Sequence, residues 1–227
     1  STLMNILGGV VQKDYGEIYI ENNEYNFRNP IESQRAGIGF IHQELSLFSK
    51  LTVAENIFIN SFPTKKIIPL IDKHAIIKKI NIVLEDLNVN INPNTIVRNL
   101  TMGQRQLIEI ASVICKEAKI MIFDEPTSSL MDSDRERLLE IIKDLKEKGK
   151  IIIYISHDIE EAIKVCDRVF VLRDGENAGE IDTRDVPTNS ILSIKSKIIQ
   201  LMVGKSLTNI YEKKTSTVKD EIVLSVK

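Results

Sequence analysis

The sequence has 227 residues, 43% of them hydrophobic, and 30 Lys and Arg against 32 Asp and Glu for a formal charge of -2. That length supports one sizeable core, or one domain with an appendage, and a balanced charge with no basic stripe argues against a nucleic-acid binder. No run of about 18 apolar residues exists to span a bilayer, and Cys115 and Cys166 lack metal-ligand spacing, as reduced buried thiols do.

Both ends read as interrupted elements. Ser1-Thr2-Leu3-Met4-Asn5-Ile6-Leu7 has the pattern of the middle of a helix, with neither a Met start nor a signal peptide. Glu221-Ile222-Val223-Leu224-Ser225-Val226-Lys227 alternates like a strand just beginning. The expectation is a piece cut from something longer.

After Gly8-Gly9, residues 16–20 and 25–27 read as a hairpin around Asn22-Asn23, and Pro30 opens a short helix to Ala36. Gly37 to Ile41 is an apolar strand ending in His42-Gln43-Glu44. Thr52, with Glu55 three residues on, forms a capping box for a helix to Ile59. A loop holding Pro63 and Pro69 leads to Asp72, the N-cap of a helix to about Asn88 whose apolar stripe is Ile76, Ile77, Ile80, Val83, Leu84 and Leu87. An Asn-rich loop to Asn99 precedes a helix from Gly103 carrying Leu107, Ile110, Ala111 and Ile114.

The stretch that organises the chain comes next. Ile120-Met121-Ile122-Phe123 is too short for a helix and reads as a strand buried on both faces; it ends in Asp124-Glu125, and Pro126 stops it. Adjacent strand side chains point opposite ways, and buried carboxylates are costly unless paired or metal-bound. In isolation the pair could simply end a strand in a solvated turn. A helix over about 133–148 closed by Gly149 follows, then the apolar strand Ile151 to Ile155, which ends in Ser156-His157-Asp158. A short helix over 160–165, strands 168–172 and 178–181 around Asp174-Gly175, and a helix over about 189–202 ending at Gly204 complete the reading. Apolar strands alternating with helices imply an α/β fold with a mainly parallel sheet, and such sheets place chemistry at the carboxyl ends of strands. Gln43, Asp124-Glu125 and His157 all stand at such ends.

Taken in order, Ser1-Thr2, Gln43, Leu100-Thr101-Met102-Gly103-Gln104, Ile122-Phe123-Asp124-Glu125-Pro126-Thr127 and Ser156-His157 resemble the nucleotide-binding domain of ABC transporters over essentially the whole chain. His42 to Leu47, Leu51 to Phe58, Tyr154 to His157 and Met202-Val203-Gly204-Lys205 are similar to the sugar-importer branch, in which two ATPase domains are fused, and this chain resembles the N-terminal one. The resemblance implies a P-loop NTPase-like core with a small antiparallel β subdomain and a helical subdomain over about 52–116 carrying the signature. It implies an ATPase domain over 1–204, a linker over 205–220, and a second ATPase domain starting at 221–227.

It also implies roles. Ser1 and Thr2 would end a Gly-x-x-x-x-Gly-Lys-Ser/Thr phosphate loop, with the Ser1 hydroxyl on Mg²⁺; the glycines and lysine of that loop are not in this chain, so the piece alone is expected to bind ATP poorly. Asp124 would hold Mg²⁺ through water, Glu125 would be the general base, and His157 would contact the γ-phosphate. Gln43 would sense Mg²⁺ and the γ-phosphate, and residues 44–51 would carry that signal to a membrane permease. Thr101-Met102-Gly103-Gln104 would bind ATP held by the opposite domain, with Met102 standing where the family has glycine. Asp132 would sit in the loop that crosses between domains, displaced by one because Met131 takes the usual Asp position.

The implied function is the ATP-hydrolysing subunit of a monosaccharide importer, peripheral on the cytoplasmic face of the membrane, working with permease subunits and a separate sugar-binding protein. A nucleoside importer, a soluble tandem ATPase acting on ribosomes or DNA, and a regulatory non-hydrolysing domain are the alternatives. The short, mildly basic stretch over 205–220 argues against the soluble tandem class.

Overall fold

The computed structural model describes residues 2–43, 45–59, 72–184, 186–187 and 190–204. Ser1, Glu44, the 63–69 loop, the 205–220 linker and the 221–227 strand of the sequence reading lie outside these residues. The chain forms two units, 1–166 and 167–227.

In the first unit, three parallel strands, β3 (Ile38–Ile41), β4 (Ile120–Asp124) and β5 (Ile151–Ile155), form a sheet in that order. Parallel neighbours need crossover connections. Here α3 (Val53–Phe58), α4 (Lys73–Asp86) and α5 (Met102–Cys115) lie between β3 and β4, and α6 (Asp132–Glu147) lies between β4 and β5. The period-two alternation sorts β4 cleanly. Met121 and Phe123, fully buried, join the core made with α3 to α6, while Ile122 joins a second cluster with Phe27 and Ile38. That second face is covered by α1 (Thr2–Leu7) and the hairpin β1 (Ile18–Ile20) and β2 (Asn23–Tyr25), through Met4, Leu7, Ile18, Ile20 and Tyr25. β4 is thus buried on both faces as its sequence predicts. β5, equally apolar, leaves Ile151 57% exposed because it is the edge of this three-stranded sheet.

Local signals place the helices. Thr52 caps α3, accepting from the Glu55 amide at 3.2 Å while Glu55 accepts from the Thr52 amide at 2.8 Å. Asp72 caps α4 by accepting from the Ala75 amide at 3.1 Å, and Ile76, Ile80 and Leu84 put one face of that helix in the core. α2 (Pro30–Arg35) begins after Asn29, which caps the Glu32 amide. Gly39 lets α5 approach β3: a side chain there would run into Val113. The hairpin turns one residue earlier than its Asn-Asn pair predicts, because Ile20 pairs with Asn23 and leaves Glu21 and Asn22 in the left-handed conformation that a tight two-residue turn requires. A short 3₁₀ turn, Val97–Asn99, ends the predicted loop. The predicted helical subdomain over 52–116 shares its apolar core with the sheet, since Ile41 and Phe123 cluster with Ile57, Ile80 and Ile108.

The second unit holds an antiparallel pair, β6 (Arg168–Arg173) and β7 (Glu176–Asp182), joined at Asp174-Gly175, against which α8 (Ile191–Val203) buries Ile198. Gly204, with φ +74°, closes α8.

Candidate functional site

Strand register assembles the site. Ile41 pairs with Phe123 and Asp124 with Ile155, so two residues past β3, one past β4 and one to two past β5 meet at the same end of the sheet. Those residues are Gln43, Glu125, and Ser156 with His157. The Gln43 amide donates to Glu125 Oε2 at 3.3 Å, and His157 Nδ1 lies 3.2 Å from the same oxygen. Three residues separated by up to 114 positions in sequence thus converge on one carboxylate oxygen.

Glu125 is held to receive them. Its amide donates to Ile155 O at 2.9 Å, extending the β4–β5 ladder by one bond, and its φ of 46° turns the backbone left-handed just after the strand. A non-glycine residue there costs of order 1 kcal/mol and persists only where its surroundings dictate it. The turn ends the alternation that would otherwise fix Glu125 opposite Asp124. The side chain of Asp124, half-buried at the end of β4, makes no hydrogen bond or ion pair among the described residues. The Glu125 side chain is 30% exposed and that of His157 72%, so the cluster opens to solvent at the sheet end.

Beneath it lies a buried polar network that sequence reading missed. Glu161 of α7 (Ile159–Val165), 4% exposed, accepts at Oε2 from Thr127 Oγ1 at 2.8 Å and from the Tyr154 hydroxyl at 2.8 Å, with Ser156 Oγ at 3.5 Å. Its other oxygen faces Arg135 Nε of α6 as an ion pair, and Arg135 Nη2 reaches Asp158 Oδ2 at 3.1 Å. Asp158 in turn caps α7, accepting from the Glu160 and Glu161 amides. Burial, more than any partner, pushes the Tyr154 hydroxyl well above its usual range. Thr127 stands two residues after Glu125 and Ser156 one before His157, so the network fixes both loops from below. The spacing Asp158 to Glu161, an N-cap and its third residue, was the available signal, obscured by the neighbouring Glu160.

The residues of the signature stand apart from this cluster. Thr101 and Gln104 form a capping box on α5: Thr101 Oγ1 accepts from the Gln104 amide at 3.2 Å, and Gln104 Oε1 accepts from the Thr101 amide at 3.0 Å. Met102 is 40% exposed. Gly103 is buried against α6, where a Cβ would sit 2.5 Å from Asp134 Cγ; a side chain there would require the Asp134 carboxylate to turn away. Asp132 begins α6, exposed, and makes no hydrogen bond to Gln43, Glu125 or His157. Thr2 is the exposed first residue of α1.

A second buried acid lies in α5. Glu109, 8% exposed in the middle of α5, accepts from the Ser46 amide at 2.6 Å, and burial raises its pKa to about 7. It is the one acid in the apolar run Leu107-Ile108-Glu109-Ile110-Ala111, which was the readable signal.

The oxygen-rich end of the sheet suits a hard cation. Asp124 offers an unpartnered carboxylate, and Gln43, donating through its amide nitrogen, keeps a carbonyl oxygen. No group of three His, Cys, Asp or Glu among the described residues forms a self-contained metal centre. No helix among the described residues is long and apolar enough to cross a membrane.

Residues 1–128 match the ABC transporter family. The ribose import ATP-binding protein RbsA of Clostridium perfringens is 40% identical over 227 residues, a match that takes in all of this chain and 44% of that protein. The xylose import ATP-binding protein XylG of Thermoanaerobacter pseudethanolicus is 41% identical over 229 residues, across all of this chain and 43% of its own length. The chain therefore spans less than half the length of these relatives. A nucleotide-free ATP-binding cassette from an ABC transporter superposes with a TM-score of 0.73 at 23% identity, covering 88% of this chain and 81% of the other, which establishes the likeness of fold.

Proposed function

This chain belongs to the ABC transporter family, and we propose that it is one of two ATPase domains of an importer that drives uptake of a monosaccharide. The observation that carries the reading is the convergence of Gln43 and His157 on Glu125 at the carboxyl end of a parallel sheet. Relatives named for ribose and xylose import support the substrate class.

In this reading Glu125 is the general base. Its Oε2, aimed into the opening between the three strand ends, accepts the proton of a water that attacks the γ-phosphorus of ATP, while the bond to the bridging oxygen breaks and ADP leaves. His157 orients that water and the γ-phosphate from the β5 side. Asp124, Gln43 and Ser1 would hold Mg²⁺, which neutralises charge on the phosphates. Thr2 lies beside Ser1 at the end of the phosphate loop. Thr101, Met102, Gly103 and Gln104 face the ATP held by the second ATPase domain, and Asp132 belongs to the crossing between the two. Met102 in place of glycine weakens the composite site that this signature completes.

The subunit works at the cytoplasmic face of the membrane with an integral-membrane permease and, indirectly, a sugar-binding protein. The segment after Gln43, with Phe48 55% exposed, is the permease contact. Purification of the full-length protein with its neighbouring membrane proteins tests this. Co-purification of a permease and ATP hydrolysis stimulated by a monosaccharide-loaded binding protein are expected. Hydrolysis indifferent to any permease, or stimulated by ribosomes, overturns it.

A further inference from the structure

The segment after Gln43 changes allegiance within a few residues. Gln43 itself touches the sheet end through Glu125. From Ser46 onward the backbone is held by the helical layer instead. The Ser46 amide donates to Glu109 of α5 at 2.6 Å. The Phe48 amide donates to Asn56 Oδ1 of α3 at 2.7 Å, and Asn56 Nδ2 returns bonds to Phe48 O at 3.1 Å and Thr52 O at 2.9 Å. Ser49 O and Leu51 O accept from the Arg98 and Val97 amides just before the signature, at 2.9 and 3.0 Å.

Among these ties, the Glu109 bond is the one that stability alone does not explain. Asn56 satisfies three groups, and its burial is compensated. Glu109 places a carboxylate among Leu107, Ile108 and Ile110 to bind a single amide, where an apolar side chain would fill the helix–core contact without a desolvation cost. Burial raises its pKa to about 7, the mark of an acid held at a cost.

We infer that Glu109 is a positioning residue which couples the segment after Gln43 to the signature helix, so that Ser46 to Phe48 moves with α5 while Gln43 stays with the sheet. The inference rests on the importer reading for its consequence: the exposed Phe48, set by that reading against the permease, keeps its seat relative to α5 only while that bond holds. Among the described residues no hydrogen bond or ion pair joins Glu109 to Gln43, Glu125 or His157.

The test uses the full-length protein in membranes with its permease and three variants. Glu109→Gln keeps an acceptor at the same reach and should retain both the slow hydrogen exchange of the Ser46 amide and the ratio of permease-stimulated to basal hydrolysis. Glu109→Asp withdraws the carboxylate by one methylene, and Glu109→Leu removes it. Both should speed Ser46 exchange up to roughly tenfold, the worth of one hydrogen bond, and lower the stimulated-to-basal ratio several-fold. If Glu109→Leu does not fold, Glu109→Asp decides. An unchanged ratio in Glu109→Asp with faster Ser46 exchange overturns the coupling role, as does equal loss in Glu109→Gln. Acceleration spread along all of α5, with the ratio intact, also overturns it by marking a purely structural acid. Failure of the wild type to respond to any permease would instead sink the importer reading, and the exchange at Ser46 would still show whether Glu109 holds the segment.

Discussion

His157 Nδ1 and Glu125 Oε2 lie 3.2 Å apart at the ends of adjacent parallel strands, and the Gln43 amide takes the same oxygen at 3.3 Å from the other side. One carboxylate oxygen is therefore the meeting point of all three strand ends. Glu125→Gln keeps the shape and removes the base. In the full-length protein, phosphate release from this site should fall by about 10²–10⁴-fold, while ATP binding measured by equilibrium titration is retained. Turnover equal to wild type removes Glu125 from the role of base.

Gly103 tests whether the signature glycine serves packing as well as ligand approach. A methyl at that position meets the Asp134 carboxylate, with Cγ at 2.5 Å. Gly103→Ala should destabilise by no more than about 1 kcal/mol, because the Asp134 carboxylate must swing aside while alanine gains helix propensity, read by denaturant unfolding. Adding Asp134→Ala should restore most of that loss, because the obstructing atoms are gone. If Gly103→Ala leaves stability unchanged and weakens only nucleotide-dependent pairing of the two domains, the packing account is wrong.

Glu161 holds four groups from three segments: Thr127 after β4, Tyr154 and Ser156 at the end of β5, and Arg135 of α6. Removing the acceptor leaves buried donors and a guanidinium without their partner, so Glu161→Ala should cost about 3 kcal/mol or more. Tyr154→Phe removes one donor and should cost about 1 kcal/mol. Because Thr127 follows Glu125 and Ser156 precedes His157, Glu161→Ala at a temperature where it remains folded should also lower turnover more than ATP affinity. Equal stability of Glu161→Ala and wild type would show that the network is dispensable.

The sequence made the sheet end legible because its signals are short-range. Unbroken apolar runs at 38–41, 120–123 and 151–155 announce buried strands, and each stops at a polar residue that the parallel register then aligns. Capping signals at Thr52 and Asp72 located two helix starts, whereas α5 begins one residue before the glycine expected to open it, with Thr101 as a cap that the sequence reading did not single out. Glu161 and Glu109 left only faint marks, a cap spacing and a lone acid in an apolar run, and no local pattern could name their partners. Only the packing of α7 against β5 and α6, and of α5 beneath residue 46, gives them partners. The reason for glycine at 103 was equally hidden, since Asp134 lies on a different helix. The edge position of β5 follows from strand order, which no local pattern encodes.

Glu109 makes stability depend on pH in a direction opposite to that of an ion-paired acid. Its pKa rises from 4.5 in the unfolded chain to about 7 in the folded one, chiefly through burial and against the opposing pull of the Ser46 amide. Between those values the folded state binds the extra proton, so the contribution of this group is most favourable below about pH 4.5, declines as pH climbs toward 7, and is constant above. The span between 4.5 and about 7 corresponds to about 3 kcal/mol at 1.36 kcal/mol per pH unit. Glu109→Gln has no such proton to lose. Other acids titrate alike in both proteins, so the difference between the two unfolding free energies isolates residue 109. Urea unfolding from about pH 4.5 to 8.5 should show Glu109→Gln gaining on wild type as pH rises, then holding a steady advantage above pH 7. A difference that stays flat across that range would mean that Glu109 titrates like a solvated acid and that α5 carries no buried charge at neutral pH.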